Sequence, residues 1–160
     1  MASILVVWAG DGDMKAAEPG SIQQSRVHRV VEGEFFSTVM VLSDHTKKSA
    51  RVFRKWLAGK VGVKVELDRR KLTSQFNLPE VYEATVEALE ACAGRYDDEE
   101  IEFSFLLGAD SPIMDAVLIL LAHTRYGAEL IHWTPERGTK LLDMPSGDLL
   151  SLIQGSTSGT

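Results

Sequence analysis

The stretch of sequence that decides the fold is IEFSFLLGADSPIMDAVLILLAHTRYGAELIHWTP, residues 101–135. Its first run, Ile101 to Leu107, has the length and apolar composition of a strand buried on both faces of a parallel sheet. Ser111-Pro112 then provides an N-cap and a first helical residue, and Gly127 provides a stop after an apolar helix. Glu129–Trp133 predicts a second strand. The result is a βαβ unit, whose strands end at the edge of the sheet where open α/β proteins bind ligands.

The same alternation of strand and helix recurs towards the N-terminus. Strands are predicted at Ile4–Trp8, Thr38–Leu42 and Gly62–Leu67, with a short edge strand at Lys140–Met144. Helices are predicted in Ser21–Gly33 (with a strand over Arg26–Val31 as the alternative), after the caps Ser43–Thr46, and from Asn77 to Gly94. The segment from Asp11 to Gly20 is predicted to be a polar loop. This order predicts a mostly parallel sheet of five or six strands with helices on both faces, a Rossmann-like three-layer sandwich.

Particular side chains are assigned from the helical periodicity. Ile22, Val27, Val30 and Val31 are expected on one buried face, and Val52, Phe53, Trp56 and Leu57 on another. Arg26, His28 and Arg29 are assigned to a solvated basic face. Val81, Thr85, Ala88, Leu89 and Cys92 are expected to form the buried face of a third helix.

Composition limits the class of protein. At 160 residues and 44% hydrophobic content, we expect one domain over residues 1–153 and a flexible tail over 154–160. No run approaches the roughly 18 apolar residues of a membrane span, so no membrane contact is expected. The single cysteine, Cys92, is expected to be an inert core thiol in a reducing, cytoplasmic setting. A net charge of −6 argues against direct binding of duplex DNA.

Three loops are predicted to meet at the carboxyl edge of the sheet: Ala9–Lys15, Ser43–Lys48 and Gly108–Met114. In the third loop, the N–H groups of Ile113 and Met114 at a helix N-terminus would suit an anion. The equally weighted alternative is that Ser111 caps its own helix and Asp115 complements the helix dipole.

The first loop has part of a dinucleotide-binding pattern. Gly10 and Gly12 follow a strand, but the full pattern needs a third glycine and a helix that opens at once. Aspartates at positions 11, 13, 44 and 110 have the chemistry to bind a hard cation. Turn and cap roles are favoured for them, and neither a metal nor a cofactor is predicted.

Evidence for catalysis is sparse. The sequence has no Gly-x-Ser-x-Gly elbow, and its four histidines (positions 28, 45, 123 and 132) lack zinc-ligand spacing. If the protein is an enzyme, Lys15, His45 and Lys47 are the candidates for stabilising charge or transferring a proton. Lys47 and Lys48 fall in the first turn of a predicted helix, where cations oppose the dipole, which hints at a nearby anion.

Phe103–Trp133 resembles the signature half of CARF domains, the CRISPR-associated Rossmann-fold sensors. In that family a buried strand is followed by a Ser-Gly-Thr-Pro-x-Met or Gly-Gly-Thr-Lys-x-Met type of turn and a helix rich in alanine and leucine. Here Ala109-Asp110-Ser111-Pro112-Ile113-Met114 occupies that place, with Asp110 at the family's usual glycine and no lysine after Ser111. The subtype it is most similar to is the N-terminal domain of transcriptional activators of bacterial RNA-repair (RNA terminal-phosphate cyclase) operons. Its Leu-x-Asp-x-x-x-x-Ser pattern is matched, with slightly different spacing, by Leu42, Asp44 and Ser49.

The resemblance implies a second-messenger sensor that binds cyclic oligoadenylate or an RNA end across a homodimer interface. Such a sensor would regulate an attached or partner effector, and we expect that effector to be absent from this chain. The dimer would pack through helix 111–126, so a charge at Met114 or Leu118 should give a monomer that does not bind ligand. The ligand-binding residues implied are Gly10, Asp11, Ser43, Gly108, Ala109, Asp110, Ser111 and Pro112. The alternatives are a ring nuclease that cleaves cyclic oligoadenylate and a generic nucleotide-binding Rossmann domain.

Overall fold

Six strands form one sheet in the computed structural model, which describes residues 1–143. The strands are β1 (Ala2–Trp8), β2 (Thr38–Ser43), β3 (Lys64–Arg69), β4 (Ile101–Leu106), β5 (Glu129–Thr134) and β6 (Gly138–Leu142). Their order is β3-β2-β1-β4-β5-β6, and all neighbours are parallel except β6, which runs antiparallel to β5 at the edge. The predicted Rossmann-like, mostly parallel sheet is confirmed. The predicted domain limit at residue 153 and the tail lie outside the described residues.

Among residues 1–143, five helices and one π-helical turn cover the two faces of the sheet. They are α1 (Asp11–Ala16), α2 (Arg26–Gly33), α3 (Lys47–Lys60), α4 (Leu78–Gly94) and α5 (Pro112–Leu121), which continues into the π-helical turn Ala122–Tyr126. Within residues 1–143, no helix is long and apolar enough to span a membrane.

The central strand β1 divides the core into two layers because successive side chains of a strand point to opposite faces. Val6 and Trp8 pack with α4 and α5 in one layer, and Leu5 and Val7 pack with α2 and α3 in the other. Residues 4–8 are all 0% exposed, as expected for a strand with neighbours on both sides and helices on both faces.

Helix α4 follows its sequence signals closely. The Asn77 side chain accepts a hydrogen bond from the Glu80 amide at 3.1 Å, and the helix ends at Gly94 as predicted. Its buried residues are the predicted five: Val81, Thr85, Ala88, Leu89 and Cys92. Burial raises the pKa of the Cys92 thiol to about 11, so the expectation of an inert core cysteine is confirmed.

Three local predictions are wrong. Ile22 lies outside α2 and is 99% exposed, and Val52 on α3 is 48% exposed, because the buried stripe of α3 runs through Ala50, Phe53 and Leu57. The predicted loop after Gly10 begins instead as helix α1. That helix starts at once because the Asp13 carboxylate accepts a hydrogen bond from the Gly10 amide at 3.0 Å, which satisfies a donor left open at the N-terminus.

Candidate functional site

The carboxyl ends of β1, β2 and β4 bring the three predicted loops into contact. Asp11, after β1, places its Oδ1 2.9 Å from Nε2 of His45, after β2. The Asp11 amide donates to Oδ2 of Asp110, after β4, at 2.8 Å. Asp11 therefore links segments that are 34 and 99 residues away in the sequence.

A cleft of about 580 Å³ opens beside this contact, where the sheet order reverses between β1 and β4. Its lining residues are Gly10, Gly12, Asp13, Gln23, Gln24, Arg26, Gly108, Asp110, His132, Trp133 and Pro135. Of the ligand-binding residues proposed from the sequence, Gly10, Gly108 and Asp110 line this cleft. The remaining five lie at the same edge of the sheet without lining the cleft: Asp11, Ser43, Ala109, Ser111 and Pro112. The position is the topological switch point at which open α/β sheets bind ligands.

Arg26 joins the two central strands below the cleft. Its guanidinium donates to the carbonyl oxygen of Trp8 at 2.6 Å and to that of Leu107 at 3.1 Å. It also lies 3.3 Å from the carboxylate of Asp13, and the two side chains are 12% and 2% exposed. The assignment of Arg26 to a solvated basic face is therefore wrong. One sequence signal pointed to this role: a cation in the first turn of a helix opposes the dipole and needs a nearby counter-charge.

Carboxylates already accept hydrogen bonds from amides at the start of α1 and in the loop before α5. Asp13 and Asp110 accept the amides of Gly10 and Asp11 at the start of α1. Asp115 accepts the amides of Gly108 and Ala109 at 3.1 Å each. At the start of α5, the amide of residue 113 donates to the hydroxyl of residue 111 at 3.1 Å. The structure therefore shows the capping alternative, in which Ser111 caps its own helix, and an anion at the start of α5 stays a prediction.

The pairing of Gly10 with Asp110 also bears on the dinucleotide interpretation. A Cβ at Gly10 would lie 2.6 Å from Oδ1 of Asp110, so only glycine allows this carboxylate so close. A helix does follow Gly10 at once, contrary to the predicted loop. However, a pyrophosphate at that helix would have to displace the two carboxylates that hold its first amides. Because dinucleotide folds place the phosphates on free N-terminal amides, this site does not have the required chemistry.

Ser43, His45 and Asp11 form a chain of hydrogen bonds with the composition of a nucleophilic triad. The Ser43 hydroxyl lies 3.1 Å from Nδ1 of His45 and also accepts the His45 amide at 3.1 Å. Ser43 is 0% exposed, so no substrate reaches its hydroxyl. Both ring nitrogens of His45 are engaged by protein groups, and the chain therefore holds two loops together. The remaining catalytic candidates, Lys15 and Lys47, are exposed.

Asp11, His45 and Asp110 are also the set with the best geometry for a metal ion among residues 1–143, because their ligand atoms lie within 4.8 Å of one another. Both carboxylates are exposed and already accept hydrogen bonds from protein groups. These hydrogen bonds explain why the three side chains lie together, because they join the segments that follow β1, β2 and β4.

Comparison with known proteins identifies the fold. No family model and no curated protein sequence matches the chain. The chain is similar to the solved structure of Enterococcus italicus Csm6 bound to cyclic hexa-2'-fluoro-hexa-dAMP, with a TM-score of 0.68 and 11% identity over 88% of this chain and 35% of that one. It is also similar to protein VC1899 from Vibrio cholerae, with a TM-score of 0.64 and 13% identity over 91% of this chain and 34% of that one. The chain thus spans about a third of each protein, and the similarity shows a CARF-like fold.

Proposed function

We propose that this chain is a sensor domain that binds cyclic oligoadenylate or an RNA end at the carboxyl edge of its sheet. The observation that carries the proposal is the cleft of about 580 Å³ at the switch point of a CARF-like fold. Ligands of open α/β sheets bind at this position. The similar Csm6 structure holds a cyclic hexanucleotide analogue, which supports a ligand of this class.

The chemistry of the cleft supports a nucleotide unit. Trp133 offers a partly exposed indole for stacking on a base, and Gln23 and Gln24 offer amides for its polar edge. Arg26 is the one side chain with a permanent positive charge among the described lining residues. Because Asp110 and Asp13 carry negative charge on the β1–β4 side, phosphates are expected to avoid that side.

Two copies of the domain are part of the proposal. A cyclic oligonucleotide with two-fold symmetry is matched by an isologous dimer, whose paired edges would form one pocket. The exposed stripe of α5, formed by Pro112, Ala116 and Leu120, provides the proposed contact surface. Ligand binding would then change how the two copies present an attached or partner effector.

Calorimetry and thermal shift test the proposal with cyclic tri-, tetra- and hexa-adenylate and with short RNAs that end in a cyclic phosphate. Because a true ligand binds only the native state, it raises the free energy of unfolding by about 2.7 kcal/mol at a hundred times its Kd, and the melting temperature must rise. Trp133→Leu should weaken binding, whereas Phe35→Leu is the control because Phe35 is 89% exposed and lies outside this cleft. The proposal fails if none of these ligands shifts the melting temperature. Recovery of the cyclic ligand intact would separate sensing from ring-nuclease activity.

A further inference from the structure

A second surface on the carboxyl edge carries positive charge that the cleft does not use. We call it the basic edge, and it consists of Lys15, Lys47, Lys48, Arg69 and Lys71. All five side chains are exposed, and none forms an ion pair with another residue of the part of the chain that the structure describes. Such a concentration of unpaired cations stands out in a protein whose net charge is −6.

Hydrogen bonds and short sequence separations bring these cations together around His45. The Arg69 guanidinium donates to the His45 carbonyl oxygen at 2.7 Å, and Lys71 follows two residues later. Lys47 and Lys48 follow His45 at the start of α3. Asp11 binds the His45 ring, and Lys15 lies four residues after Asp11, on the same side of α1.

Two carboxylates near the basic edge have partners of their own, whereas the exposed carboxylates of Asp11, beside His45, and of Glu83, in a groove with Arg69 and Lys71, offset part of the positive charge. Both oxygens of Asp44 accept from the Gln75 amide at 3.2 Å. Both oxygens of Asp68 accept from Arg70, at 2.8 and 3.2 Å. The first turn of α3 contains no acidic residue, so its two lysines oppose the helix dipole without compensation. An anion with several spaced charges would relieve this repulsion.

An exposed aromatic side chain lies in a loop that is hydrogen-bonded to Asp44, the residue before His45. Phe76, in the loop between β3 and α4, is 68% exposed. Two hydrogen bonds of Gln75 hold this loop in place. The Gln75 side-chain amide donates to Asp44, and the Gln75 carbonyl oxygen accepts from the Ser111 hydroxyl at 2.7 Å. An exposed ring beside a track of cations is the combination by which proteins bind single-stranded nucleic acid, with phosphates on the cations and a base on the ring.

We propose that the basic edge and Phe76 together bind a linear single-stranded nucleic acid. This interaction goes beyond the proposed sensing function because it uses residues outside the cleft and needs no ligand there. A duplex keeps its base faces stacked inside, so it cannot use Phe76, and single strands are the expected partners.

Fluorescence anisotropy with a labelled ten-nucleotide strand tests the electrostatic part. Binding should weaken as salt rises, since each neutralised phosphate contributes about −0.7 to the slope of log K against log salt. The double variant Lys47→Glu/Lys71→Glu should lose roughly tenfold or more in affinity at low salt. Lys55→Glu/Lys60→Glu reverses two exposed cations further along the same helix and should change affinity by less than about twofold. Equal losses in both double variants would mean general charge attraction and would overturn the proposal.

Phe76→Ala tests the stacking part. Removing one base–aromatic contact should weaken binding by about 5- to 100-fold, whereas Phe35→Ala should leave it unchanged. Equally tight binding of the matching duplex, or no loss with Phe76→Ala, would contradict the assignment. Cyclic hexa-adenylate is measured in parallel: if it binds and the linear strand does not, this inference fails and the sensing proposal stands. If the linear strand binds and cyclic hexa-adenylate does not, the result supports this inference and excludes the cyclic ligand from the sensing proposal.

Discussion

At the scale of single residues, Arg26 is expected to matter more for stability than any other cation near the cleft. Arg26→Met would leave the Asp13 carboxylate, which is 3% exposed, and two strand-end carbonyls without this partner. Removing one member of a buried ion pair costs about 3–5 kcal/mol because the other charge stays buried. We therefore expect the free energy of unfolding in urea to fall by that order.

Arg29→Met is the matched control on the same helix. Arg29 pairs with Glu32 at the surface, where the two side chains are 42% and 47% exposed. Exposed pairs contribute about 0–1 kcal/mol, so this variant should be close to the unmodified protein. Similar losses for Arg26 and Arg29 would show that the buried contacts of Arg26 contribute little.

We expect glycine to be needed at position 10 because the Asp110 carboxylate lies against it, and we expect no other group to obstruct a side chain there. Gly10→Ala puts a methyl group 2.6 Å from the present position of Oδ1, so the carboxylate must move away from the Asp11 amide. Losing a hydrogen bond to a charged group costs about 1.5–3 kcal/mol. In an Asp110→Gly background the same alanine should cost much less, and a double-mutant cycle in urea measures the difference. Additive losses would mean that the methyl group meets some other obstacle.

At the scale of elements, the loop between β3 and α4 should loosen in acid. The Thr73 hydroxyl, together with the amides of Ser74 and Thr73, holds the pKa of Glu80 below its usual value of 4.5. A lowered pKa means that the folded state favours the carboxylate. The stabilisation is therefore complete well above pH 4.5 and is lost as the pH falls through the lowered pKa. The protection factors of the Thr73 and Ser74 amides, which compare the observed exchange rate with the intrinsic rate at the same pH, should then fall.

Glu80→Gln should reproduce the acid behaviour at neutral pH because the amide cannot provide two anionic acceptors. The protection factors of its Thr73 and Ser74 amides should also show little further change between neutral and acid pH. If the variant protects Thr73 and Ser74 as well as the unmodified protein does, the carboxylate does not hold this loop.

Elements with local start and stop signals could be predicted from the sequence. The Asn77 cap, the Ser111-Pro112 start and the stops at Gly94 and Gly127 all depend on neighbouring residues, and the structure has each of them. Helix α1 was missed because it is six residues long and its first amides bind Asp13 and the distant Asp110. Short helices held by tertiary contacts leave little periodicity to detect.

At the scale of the whole molecule, the meeting of three loops at one edge was predictable because parallel strands end on the same side. Their detailed contacts were not. Arg26 reaches Leu107 across 81 residues, and Asp110 reaches Asp11 across 99. Sequence spacing carries no signal for such pairs. The Asp110 contact also engages the Asp11 amide at the start of α1. The position of the site can therefore be predicted from the sequence, but these contacts require the fold.

The proposed dimer is also a question for the whole molecule, and the structure identifies better positions for testing it. Met114 and Leu118 are 1% and 0% exposed within one chain, so a charge there would disrupt the core and reveal nothing about assembly. Three residues spaced four apart on α5 remain exposed: Pro112, Ala116 and Leu120. These form one stripe on the helix surface.

Leu120 is 37% exposed, so Leu120→Glu should leave the fold intact and separate a dimer that packs through this stripe. Light scattering at micromolar concentration should give a dimer for the unmodified protein and a monomer for the variant. Val52→Glu is the control because Val52 is 48% exposed on α3, which covers the opposite face of the sheet. A monomeric unmodified protein would contradict the proposed dimer, and dissociation by Val52→Glu alone would place the interface on the other face. If the cleft is shared across a two-fold axis, Leu120→Glu must also weaken binding of the cyclic ligand, although Leu120 does not line the cleft.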